Sequence, residues 1–231
     1  MKRSLLSFVI ISLLGAYALK AQDCVYYFPT TEGASVETSS YDATGKLTGI
    51  NIQRVVKKEE GGNQMKLSVA NENYDVKGSK KTTTTLEYAC RGGEFHVDMK
   101  RFIDPAIFAQ YQNMDISFSS SDYIIPRAFV PNQSLDEASV TMTVKSNGIS
   151  IMNLKVRIFN RKVDAVETIK TNMGNYECYK VTYDVETDMG ITVKSKGAEW
   201  YTKNVGVVKS ETYDASGKLM GSTLLTKFKD Q

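Results

Sequence analysis

The chain has 231 residues, 29 of them Lys or Arg against 26 Asp or Glu, for a formal net charge of +3. Three of the 29 basic residues (Lys2, Arg3 and Lys20) fall within the first 21 positions, and removing them leaves 26 against 26. A neutral chain offers no electrostatic footprint for nucleic acid. Nothing after residue 21 is long and apolar enough to form a transmembrane helix.

Residues 1–21 read as a secretory signal. Lys2 and Arg3 form a positive start, and Leu5 to Leu14 is an apolar run too short for a bilayer. Ala16, Ala18 and Ala21 supply small residues for cleavage after 18 or 21. Cys24 follows Asp23, whereas a lipid-modified Cys needs a small residue before it, so the expectation is a soluble periplasmic protein without a lipid anchor. The remaining stretch, 22–231, suits a single domain. Cys24, Cys90 and Cys178 would meet an oxidising compartment, where one disulfide fits as well as three buried thiols, and spacing does not choose a pair.

The phrase "YDATGKLTG" at 41–49 returns as "YDASGKLMG" at 213–221. Asp at the first position of a type I turn and Gly at the fourth predict a G1-bulge hairpin in each. Asp42 then faces Lys46 and Tyr41 faces Leu47; Asp214 and Lys218, and Tyr213 and Leu219, follow the same geometry. Alternating runs at 47–56 and 65–69 follow as strands. In "LEYACRGGEFHVDM" a turn at Gly92-Gly93 pairs Cys90 with Phe95, Tyr88 with Val97 and Leu86 with Met99. The other face carries Glu87, Ala89, His96 and Asp98.

One helix start is convincing: Asp104 as cap, Pro105 at the first position, and a helix over 105–112. The stretch 114–139, with Pro126 and Pro131, reads as a crossing segment. Asn147-Gly148 between alternating runs is a strong hairpin signal. A two-residue turn sets Val144 opposite Ile151, and a bulge near Met152 restores Met142 to Leu154 and Val140 to Val156. Further strands are read at 176–185, 191–201 and 218–228. Tyr179, Val181, Tyr183 and Val185 share one face of the first, and Trp200 ends the second.

Chemistry leaves few marks. Gly45-Lys46 lacks the preceding Gly and following Ser/Thr of a phosphate loop, and Gly148-Ile149-Ser150 lacks the closing Gly of a nucleophile elbow. His96 is the only histidine, so a hydrolase would have to centre on it. Glu87, His96 and Asp98 form a weak metal candidate, and Lys100 or plain solvent would neutralise the same carboxylates. No cofactor is implied.

"NYECYKVTYDVET", "MGITVKSKGAEWYTKNVGVVKSETYDASGKLMG" and "CRGGEFHVDM" resemble the TapB family of exported Gram-negative proteins. That family is related to periplasmic domains in which "GxxxCYK" and "W…GVVKSE…GK" mark successive strands. The resemblance implies an outline similar to the LolA/LppX lipoprotein carriers, whose half-barrel holds acyl chains, and it carries over no catalytic residue. The expectation is an all-β domain: a strongly curved antiparallel sheet forming a half-barrel, with the 105–112 helix over its concave side. Three functional readings follow: a non-enzymatic carrier of a hydrophobic or lipid ligand, an envelope protein–protein interaction module, and a hydrolase. For the first, an apolar cavity would be lined by Leu86, Tyr88, Phe95, Val97, Tyr179, Val181, Tyr183 and Trp200. Which face of each strand turns inward is left open, as is the oligomeric state.

Overall fold

A computed structural model describes residues 24–62, 64–111 and 113–230. The signal segment 1–21 lies outside the described residues. Strands β1 (Ser35–Asp42), β2 (Leu47–Gly61), β3 (Gln64–Tyr74), β4 (Lys80–Arg91) and β5 (Glu94–Val97) form a meander. A 3-10 turn (Met99–Phe102) and one helix, α1 (Pro105–Tyr111), follow. The chain continues through β6 (Asp115–Ser120), β7 (Tyr123–Ile125), β8 (Ser134–Leu135), β9 (Ala138–Ser146) and β10 (Ile149–Thr171). It ends with β11 (Gly174–Asp188), β12 (Thr192–Thr202), β13 (Gly206–Asp214) and β14 (Leu219–Lys229).

All but one strand lie in a single path, β6-β9-β10-β11-β12-β13-β14-β1-β2-β3-β4-β5-β7, with β8 beside β10. Every neighbouring pair is antiparallel. The sheet does not close, yet its two edge strands, β6 and β7, are separated in sequence only by Ser121 and Asp122. A chain that short brings the edges together, so the sheet curls into a half-barrel with a narrow seam. Long strands with repeated register shifts, three of them in the pairings of β10, permit the curl. The segment read as a crossing does cross, and it supplies both edge strands.

The repeated phrase is turn chemistry. In each copy the Asp amide donates to the Lys carbonyl and the Gly amide to the Asp carbonyl (Asp42 to Lys46, 3.0 Å; Asp214 to Lys218, 2.9 Å). Gly45 and Gly217 take φ of 82° and 89°, a region that favours glycine. Tyr41 pairs with Leu47 and Tyr213 with Leu219, as expected. β1 pairs with β14 so that Asp42 sits opposite Gly221, which places the two turns side by side at one end of the sheet. A third turn, Asp75 to Ser79, has the same bonds and adjoins them.

Two registers differ from expectation. The bulge in the β9–β10 hairpin comes at Ile151, so Val144 faces Met152; Met142–Leu154 and Val140–Val156 pair as predicted. After Gly92-Gly93, Cys90 faces Phe95, but the ladder stops at Ala89–His96. Asp98 then caps the 3-10 turn by accepting from the Lys100 amide at 2.9 Å, so Met99 is helical and not paired with Leu86. Cys24 and Cys90 form the disulfide, and Cys178 is free and buried. Burial pushes the Cys178 thiol up to about 12.

Candidate functional site

Strand alternation sends every second side chain to the concave face. On β3 these are Met65, Leu67 and Val69, then Asn71 and Asn73; on β4 they are Cys90, Tyr88 and Leu86, then Thr84 and Thr82. The concave face is therefore apolar toward one end and polar toward the hairpin turns. Between the two zones lies a cavity of about 310 Å³, at the small end of ligand-sized sites.

Its polar end is a side-chain ladder. Asn51 Nδ2 donates to Asn71 Oδ1 (2.8 Å) and Asn73 Oδ1 (2.9 Å). Asn71 and Asn73 pass the chain on to Thr84 (3.2 Å) and Thr82 (3.0 Å). Across the groove Ser210 and Thr223 share a bond of 2.7 Å. The aromatic end comprises Tyr27, Phe28, Tyr88, Phe95 and Tyr201, with Phe28 and Tyr88 rings edge-on at 5.0 Å. Gln53 joins the zones by accepting from the Tyr88 hydroxyl at 3.2 Å.

A buried ion pair sits in the wall. Arg101, delivered by the 3-10 turn, donates to Glu199 of β12 at 2.7 Å, and the Glu199 side chain is only 4% exposed. Tyr201 also donates to Glu199, and the Tyr123 hydroxyl lies 3.3 Å from that of Tyr201. Burial opposes the charge on Arg101, but Glu199 beside it more than offsets this and holds the guanidinium well above its ordinary value. Burial, reinforced by Glu199, raises Tyr183 and Tyr201 well above the usual phenol range. Burial lifts Tyr88 to about 12. These hydroxyls stay protonated and can donate.

Of the eight predicted lining residues, Tyr88, Phe95, Val97 and Tyr183 border the cavity. Leu86 and Val181 are fully buried in the packed core, and Tyr179 packs on Phe129 with ring centroids 5.4 Å apart. Trp200 lies on the opposite face, because its neighbours Glu199 and Tyr201 both turn inward. There it donates to Glu167 at 2.7 Å and stacks under Lys209. The lining is also not apolar as expected; amides and hydroxyls make up its turn-proximal half. Among the described side chains, the 3-10 turn contributes Lys100, Arg101 and Phe102 to the lining and α1 contributes Pro105.

Glu87, His96 and Asp98 border one pocket on the other face of the sheet, but each carboxylate and the imidazole has its own partner. Glu87 pairs with Lys66 (2.9 Å), Asp98 with Lys100 (3.0 Å), and His96 Nδ1 with Asp122 (3.0 Å), which also binds Arg91. Among the described residues no group of three His, Cys, Asp or Glu is placed to hold a metal ion, and no helix is long and apolar enough to cross a membrane. Arg101, Glu199, Asn51, Asn71 and Asn73 were missed from the sequence. The signal for the asparagines was a face that changes from apolar to amide within one strand.

The model of the DUF3108-like family matches residues 31–225, which span β1 through most of β14. A structure from Bacteroides fragilis, titled as a candidate exported protein with a YmcC-like fold, is 26% identical with a TM-score of 0.74; the match covers 89% of this chain and all of that one. A candidate lipoprotein from Parabacteroides distasonis is 27% identical with a TM-score of 0.76, over 90% of this chain and all of its own. Among curated proteins there is no match.

Proposed function

The chain belongs to the DUF3108-like family, and from that premise we propose that it is a non-enzymatic, exported envelope protein that holds a small ligand in the concave cavity. The observation that carries this is the Arg101–Glu199 pair, buried in a cavity wall at 2.7 Å. A buried ion pair adds little to stability compared with apolar packing, so its presence beside an open volume fits a binding role. The exported and lipoprotein titles of the two similar structures support the compartment. The resemblance to the TapB proteins, with an outline similar to the LolA/LppX carriers, supports a carrier by fold analogy. The apolar part of a ligand would lie against Tyr88, Phe95 and Val97. Native mass spectrometry of the protein taken from its own envelope should show a bound small molecule. Ser40→Phe, which fills the cavity without removing a side-chain hydrogen bond, should lose it while the fold is kept. Wild-type protein without any adduct would sink the reading.

A second reading, an interaction module, draws on Ile149, Met189, Ile191 and Val193, all exposed near hairpin tips at the turn end. Crosslinking in cells that captures one protein through Ile191, with the cavity empty, would favour it.

A further inference from the structure

Resting on that reading, we propose that the cavity takes a small uncharged carbohydrate, a mono- or disaccharide, and not an acyl chain. The charges around it are spent. Lys100, Arg101 and Glu199 are the charged residues of the lining; Arg101 is matched by Glu199, and Lys100 by Asp98 at 3.0 Å. Among the described lining residues no cation is left over for a phosphate or carboxylate, and no anion for an amine.

The polar half is built of amides and hydroxyls, the groups that donate and accept at once and so complement a sugar hydroxyl. Asn51 is the clearest case. Its Nδ2 is used by the ladder, while its Oδ1 accepts from no described residue. The aromatic half adds Phe28, Tyr88 and Phe95 to the lining, an apolar surface of the kind on which the C–H face of a pyranose packs. An acyl chain would satisfy only that half and would strip water from the Asn51–Asn71–Asn73 ladder without replacing its hydrogen bonds.

The second, independent observation is Tyr27. It is 3% exposed, borders the cavity, and its hydroxyl has no hydrogen-bond partner among the described residues. Buried hydroxyls are normally paired, and burial keeps this one protonated. A ligand hydroxyl at the aromatic end would complete it. Tyr27 and Asn51 are thus two lining residues, one beside the aromatic zone and one in the polar zone, with hydrogen-bonding capacity that no described residue uses.

The test is titration calorimetry with methyl glycosides of glucose, galactose, mannose and N-acetylglucosamine and with maltose and cellobiose, beside displacement of a fluorescent fatty acid. At least one saccharide should bind saturably. Tyr27→Phe, which removes only a hydroxyl that no described residue bonds, should keep the melting temperature and weaken binding about tenfold, the equivalent of one hydrogen bond. Asn51→Leu, with folding verified by circular dichroism, should abolish binding. If no saccharide binds, or if Tyr27→Phe and Asn51→Leu bind like wild type, the ligand class is wrong. A saturable fatty-acid isotherm would then leave the cavity reading standing, whereas an empty protein from the native envelope would remove both.

Discussion

Asp42 shows how much one side chain can determine. Its Oδ1 accepts from the Thr44 amide (2.9 Å), the Thr44 hydroxyl (2.7 Å) and the Lys46 amide (3.0 Å), and Asp214 repeats the set with Ser216 and Lys218. The Thr44 hydroxyl, then the Lys46 amide, hold the Asp42 carboxyl below its usual value; Ser216 and Lys218 do the same for Asp214. The native carboxylate thus holds its proton less tightly than the unfolded one. Its stabilisation is present above the ordinary Asp value of about 4 and is lost as pH falls through the native value. Asp42→Asn and Asp214→Asn should each lower the melting temperature at neutral pH, with the gap to wild type narrowing below about pH 4. Melting curves across that range decide it, and a gap constant with pH would show that the charge is not what the turn uses. These turns were legible because every bond spans four residues or fewer. The third, at Asp75, escaped because Lys77 stands where Thr44 and Ser216 stand, although Asp-x-x-Gly is intact. The orientation of Trp200 was not legible, since the choice between Trp200 and Tyr201 as the inward residue depends on strands far away in sequence.

Within a strand, alternation was readable but its meaning was not. The sequence shows Leu67, Val69, Asn71 and Asn73 on one face, and Thr82, Thr84, Leu86 and Tyr88 on another. Only the β3–β4 register, Asn71 beside Thr84 and Val69 beside Leu86, reveals one continuous zone that changes polarity. Read singly, the first run ends at Val69 and the second begins at Leu86, so the polar halves of both strands fall outside them. Gly197 of β12 has a cause of the same kind. It faces Tyr183 across the β11–β12 ladder, and a Cβ there would come within 2.3 Å of the Tyr183 ring. That ring lies over the Gly197 backbone, edge-on to Phe102 at 6.2 Å, and forms part of the cavity wall. Gly197→Ala should displace it, costing about 1–3 kcal/mol in urea unfolding as an overpacked site does. A double variant with Tyr183→Leu should recover most of the loss, because the clash is with the ring. No recovery would place the cost in the backbone.

At the scale of the molecule, the consequential feature is the seam, and no local pattern announces it. The all-β class and the half-barrel outline followed from long alternating runs and from the family resemblance. That two adjacent short strands, β6 and β7, would take opposite edges of one sheet did not. Arg161 helps to hold the seam. A positive φ of 51° at Asn160 and the register shift between Phe159 and Lys162 bend β10 there, and Arg161 is 2% exposed. Its guanidinium lies 3.7 Å from the Tyr123 ring centroid and donates to the carbonyls of Ile124 (2.9 Å) and Asp136 (2.6 Å). One side chain from β10 thereby ties down β7, at the far edge, and the segment between β8 and β9. Arg161→Met keeps most of the volume but removes both hydrogen bonds, which are partly buried, so it should destabilise by about 1–3 kcal/mol. The more telling readout is local. Hydrogen exchange should quicken at β7 and β8 while β2 and β3, whose ladders do not depend on the seam, keep their protection. Uniform loss of protection, or none, would mean that the edges are held by β6 and β7 themselves and that Arg161 is a passenger in the core.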